Sequence, residues 1–270
     1  MDSIAIDEQN IDDVLRWLLN SGDASPFEPS SISLGSALEL AFWANLQGKR
    51  PMTALQSWVR QHEYFKQCMN IVAGGNVREP QDSYRVLPYE FFCIRAAEDV
   101  LKQPWCLFLE RFSGALREAG FKQLSHAIAG ALNEIGTNVV QHSTFGQPSA
   151  QMNGIACYAV SKKSARFAVG DDGIGALSSL QNNPCWSHLT FDREAVRAIG
   201  QEHASRRTDQ GEGQGYRELF DALASFDGTV RLRSGTGIFG ITGAIDAAVA
   251  VGSNSPHISG VQLSVHCALK

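Results

Sequence analysis

Apolar residues recur at helical spacing over some stretches of this chain and alternate with polar ones over others. Ile11, Val14, Leu15 and Leu18, with Asn10 as a cap before them and Gly22 after, predict a helix over 10–21. The prolines and small residues of 25–30 read as a linker. A second helix is expected over 36–46, ending at Gly48, and a third over 53–73, carrying Leu55, Trp58, Val59, Phe65 and Met69 and stopping at Gly74-Gly75. Residues 86–94 read as a strand, and 105–119 return to helical spacing through Leu107, Phe108, Phe112 and Leu116. The longest stripe, Leu124, Ile128, Ala131, Leu132, Ile135 and Val139, predicts an amphipathic helix packed on a core. Two β-prone runs, 154–160 and 164–169, flank Ser161-Lys162-Lys163 and predict an antiparallel hairpin. A helix over 217–225 and strands over 228–233, 237–243 and 261–269 complete the pattern, which is that of an α/β chain of the α+β kind.

Composition narrows the class. With 270 residues, 44% hydrophobic and 19% charged, the chain suits a soluble protein of two modest domains, divided here into 1–110 and 115–270. A net charge of -5, with Arg206-Arg207 as its one adjacent arginine pair, argues against a nucleic-acid surface. Cys68, Cys93, Cys106, Cys157, Cys185 and Cys267 form no C-x-x-C pair, so neither a zinc site nor a disulfide framework is expected. They read as buried thiols of a reducing cytoplasm. The acidic N-terminus lacks the features of a secretory signal, and no apolar run approaches membrane-spanning length.

Candidate chemistry begins on the long stripe. Glu134, Asn138 and His142 follow one another at intervals of four. Since four residues advance a helix by only about 40° beyond a full turn, the three side chains form a row beside the apolar stripe. An Asn carbonyl is a hard neutral ligand for Mg²⁺, and a Glu one turn earlier could act as a base toward a water or hydroxyl. An isolated Glu-x-x-x-Asn is ordinarily a helix-edge feature; what distinguishes this one is the glycine-rich stretches downstream. Asp171-Asp172-Gly173-Ile174-Gly175 follows the hairpin, and there a buried, acceptor-only Asp171 could bind an exocyclic amine while the glycines let backbone approach a ligand. Taken alone it is equally an ordinary turn. Residues 176–210 lack a continuous pattern except around Phe191 to Ile199 and are a candidate lid. That stretch closes at Gly211-Glu212-Gly213-Gln214-Gly215, whose free N–H groups at a helix start suit phosphates. A dinucleotide fingerprint is excluded, because no strand directly precedes Gly211 and the G-x-G-x-x-G spacing is not met.

The ordered set of Glu134/Asn138/His142, Asp171-Asp172-Gly173-Ile174-Gly175, Gly211-Glu212-Gly213-Gln214-Gly215 and the closing strand-turn at 228–237 resembles the nucleotide boxes of the GHKL ATPases. Ala131-Leu132-Asn133-Glu134-Ile135-Gly136-Thr137-Asn138 is most similar to the form found in anti-sigma-factor serine kinases and other stand-alone histidine-kinase-like proteins. The resemblance covers about 115–270. It implies a Bergerat-type two-layer sandwich, a mixed sheet with helices on one face. It further implies ATP and Mg²⁺ as cofactors, Glu134 as general base, and Asn138 as metal ligand. Asp171 would read adenine, and His142, Gly173, Gly175, Gly211, Gly213 and Gly215 would line the nucleotide. Where many relatives carry Gly-Thr on the last strand, this chain has Gly260-Val261. Residues 1–110 faintly resemble STAS-like segments and imply a protein-contact region. The function implied is a bacterial, cytoplasmic regulator with a protein partner, free to form a homodimer, that acts as a slow ATPase or serine/threonine kinase. The alternative is a nucleotide-gated interaction module with negligible turnover.

Overall fold

The computed structural model describes residues 4–21, 29–48, 55–77, 85–143, 153–202, 204, 223, 228–242, 249–251 and 255–268. A short parallel pair, β1 (Ala5–Ile6) and β2 (Ser31–Ile32), brackets α1 (Ile11–Ser21), which buries the four apolar residues expected of it. Next comes α2 (Leu34–Gln47), capped by the Ser33 hydroxyl, which accepts from Ser36 N at 3.2 Å, and stopped by Gly48 at φ 76°. Leu34 through Ala44 are all buried, the signature of a helix covered on every side.

The helix expected over 53–73 is two, α3 (Gln56–Gln61) and α4 (Glu63–Val72). His62 is extended between them and its ring reaches the Pro29 carbonyl at 3.1 Å, a tertiary contact that local spacing does not reveal. After β3 (Tyr89–Ile94) and a 3₁₀ turn, α5 (Gln103–Ala119) ends on left-handed Gly120 and α6 (Ser125–Ser143) follows. Then come β4 (Gly154–Val160), β5 (Ser164–Asp171), α7 (Gly175–Leu180), α8 (Asp192–Glu202), β6 (Thr229–Gly235), β7 (Gly237–Thr242), β8 (Val249–Val251) and β9 (Ile258–Ala268).

Seven strands form one sheet in the order β3-β4-β5-β9-β6-β7-β8, and every neighbouring pair is antiparallel. The mixed sheet implied by the family resemblance is therefore corrected. Two tight hairpins, β4–β5 and β6–β7, supply antiparallel pairs directly, and β9 returns between them in the same sense.

Helices drawn from 103–202 cover one face of this sheet, and helices of the N-terminal region cover the other. Ala156, Tyr158, Phe167, Val169, Leu263 and Val265 point into a core closed by α5, α6, α7 and α8. Their strand neighbours Ile155, Cys157 and Ala168 point the opposite way, into a second core with α1, α2 and α4. Strand period two thus feeds two helical layers, and the α+β character stands. The stretch read as a lid is packed helix over much of its length, because Ala176, Leu180, Ala195, Val196 and Ile199 belong to the first core. Residues 203 and 205–210 lie outside the described residues.

Candidate functional site

The site is built where β5 ends. Asp171 is its last residue and is only 4% exposed. One carboxylate oxygen accepts from Gly173 N at 2.7 Å, an Asx turn that folds the chain back toward α7. The other accepts from Val261 N at 3.3 Å, across on β9. That second bond depends on a bulge: the β6–β9 register runs Ser234↔Val261 and then Gly235↔Ile258, leaving Ser259 and Gly260 extra on β9. The two main-chain donors, one from the turn after β5 and one from β9, fix the plane of the carboxylate.

Close backbone approach holds this corner together. Gly260 has φ 67°, and a Cβ there would lie 2.0 Å from the Asp171 carbonyl oxygen. Gly175, at φ 79°, opens α7 with room for nothing larger, since a Cβ would meet Ser234 Oγ at 3.0 Å. Ser234 ties the two together by donating to the Gly260 carbonyl at 2.7 Å and accepting from Ala176 N at 2.8 Å. The adjacent Asp172 does different work. Its carboxylate accepts from Asn153 N at 3.0 Å and from the Asn153 side-chain amide at 2.6 Å, locking the start of β4. Arg95 extends that lock from the Asn153 side chain to the carbonyls of Ile71 and Gly75.

The expected row on α6 is present for two of its three members. Helix α6 packs on β4 and β5 and touches α7. Glu134 and Asn138 are half-buried on it, one turn apart. Among the described residues neither side chain has a hydrogen-bond or ion-pair partner. Their neighbours do: Asn133 accepts from Trp105 Nε1 at 2.8 Å, and Thr137 Oγ1 donates to the Asn133 carbonyl at 2.8 Å. Glu134 and Asn138 are thus flanked by residues whose own polar groups are engaged, Asn133 with Trp105 and Thr137 with the helix backbone. The His142 side chain and all of Gly211, Gly213 and Gly215 lie outside the described residues.

Three contributors went unread in the sequence: Ser234, Gln262 and the Val261 main chain. Gln262 is 2% exposed, and its side-chain amide donates to the carbonyls of Asp171 at 3.0 Å and Ser259 at 2.7 Å. Its signal was available as a polar residue in the alternating run Val261-Gln262-Leu263-Ser264-Val265-His266, but such alternation ordinarily means a solvated face. No protein-family model matches the chain, and neither a curated protein nor a solved structure is significantly similar to it.

Proposed function

We propose that this protein binds an adenine nucleotide with Mg²⁺ at the corner formed by β5, β9, α6 and α7, as a GHKL-type regulator that hydrolyses ATP slowly or passes its terminal phosphate to a protein hydroxyl. The observation that carries this reading is the buried Asp171 carboxylate, oriented by Gly173 N–H and Val261 N–H. An acceptor-only group so held suits the exocyclic amine of adenine. Asn138 suits Mg²⁺ arriving with its nucleotide. No group of three or more His, Cys, Asp or Glu side chains able to hold a metal occurs among the described residues, and none is required. A magnesium ion that retains waters and shares phosphate oxygens takes one or two protein ligands. Bound there, the ion would neutralise phosphate charge. Glu134, one turn before Asn138 and without a partner among the described residues, is free to accept a proton from an attacking water or hydroxyl.

Two substitutions separate these roles. Asn138→Ala should abolish the Mg²⁺ dependence of nucleotide affinity while leaving metal-free ADP binding intact. Glu134→Gln should retain binding and lower turnover by about 10²–10⁴-fold, the usual contribution of a positioned base. Turnover retained by the Gln variant would remove Glu134 as the base. Binding with no turnover in the unmodified protein would favour the nucleotide-gated module. Val261, which brings a main-chain donor but no hydroxyl to Asp171, is the feature that points that way.

A further inference from the structure

Gln262 lies behind Asp171, on the face of the sheet that the nucleotide reading does not use. Its amide nitrogen spends both hydrogens on carbonyls, those of Asp171 and Ser259, so its orientation is determined. Its oxygen is consequently turned away, buried and without a hydrogen-bond partner among the described residues. Directly opposite in the β6–β9 register stands Arg233, which is 0% exposed and whose Nε–H is likewise unpartnered. The rest of the Arg233 guanidinium is held by Asp12 at 2.7 Å, by Glu39 at 2.8 Å and by the Pro256 carbonyl. A cation anchored on one strand thus faces an amide oxygen on the next.

We propose that Gln262 is the positioning residue of the Asp171 site, holding the Asp171 and Ser259 main chain from behind the sheet through an amide whose orientation those two carbonyls fix. Of the two carbonyls it grips, that of Ser259 belongs to the bulge and that of Asp171 to the end of β5, and the bulge is what brings Val261 N–H onto the Asp171 carboxylate. Loosening the amide frees Asp171 to tilt, and with it the group that reads the base. The consequence for ligand binding rests on the adenine-nucleotide reading; the positioning itself does not.

Gln262→Met keeps the volume and removes both donors. Gln262→Glu also removes them and sets a carboxylate opposite the Arg233 cation in the β6–β9 register, and it serves as the second variant if the Met variant proves unstable. Amide hydrogen exchange reads the positioning directly. In either variant Val261 and Gly173 N–H should lose protection by about tenfold, the scale of one lost hydrogen bond, while β4 amides are unchanged. Unchanged protection at those two amides in a folded variant overturns the proposal. The second arm compares ADP with inosine diphosphate, which lacks the exocyclic amine. The variants should lose about tenfold in affinity for ADP and little for the inosine nucleotide, collapsing the preference of the unmodified protein. Equal loss for both nucleotides would reduce Gln262 to a structural residue and overturn the proposal. If the unmodified protein binds neither nucleotide while the exchange arm responds, the nucleotide reading fails and the positioning role stands.

Discussion

A Cβ at position 260 would run into both the carbonyl and the carboxylate of Asp171, so the corner tolerates no side chain there. Besides the 2.0 Å approach to the Asp171 carbonyl, the φ of 67° is one that L-residues adopt at a cost. Gly260→Ala should therefore destabilise the protein by at least about 2 kcal/mol in chemical denaturation, summing strain and displacement. A loss below about 0.5 kcal/mol would mean that the β9 bulge is softer than its geometry implies. The placement of Glu134 and Asn138 one turn apart on a helix, and of Asp171 at the end of a strand, was legible because it follows from local spacing. Gln262 and Ser234 were not, because each acts through carbonyls or N–H groups whose neighbourhood is set by register, and register is invisible locally.

Among the elements, the seating of α6 decides where the Glu134–Asn138 pair lies. Gly136, between them, faces the Trp105 ring of α5, and a Cβ there would lie 2.7 Å from the indole. Helix propensity alone favours Gly136→Ala by about 1 kcal/mol. The indole is rigid and itself held by Asn133, so overpacking should win and give a net destabilisation of about 1–2 kcal/mol. A thermal midpoint raised by the substitution would show that α5 and α6 have slack between them. Helices and hairpins were readable here because their apolar periodicities are local. The break at His62 was not, since Trp58 and Phe65 are both buried and the apolar stripe continues through it.

The two cores are the feature of the whole molecule that the sequence concealed. Arg231 and Arg233 flank Leu232 on β6, an alternation that reads as a solvated face. They are instead covered by α1 and α2, which bring Asp12 and Glu39 to them: Arg231 meets Glu39 at 2.7 Å and Asp12 at 2.8 Å. Burial alone would raise the Glu39 carboxyl, but the Arg231 and Arg233 charges override it and hold it below its ordinary value of 4.5. A carboxyl lowered in the fold stabilises it above the unfolded value and loses that contribution as pH falls through the folded one. Glu39→Gln should accordingly cost about 3–5 kcal/mol at neutral pH, as expected for leaving buried cations with half their partners. The gap between variant and unmodified protein should narrow below pH 4.5. Denaturant titration at several pH values checks both, and a gap independent of pH would remove Glu39 as the ionised partner.

Calorimetric titration of the full chain with ADP, with Asp171→Asn in parallel, decides whether the Asp171 corner receives an adenine nucleotide. Saturable binding, weakened at least about tenfold in the Asn variant while its far-ultraviolet spectrum is unchanged, is the predicted result. No heat of binding at millimolar ADP, or equal affinity in the two proteins, would contradict it.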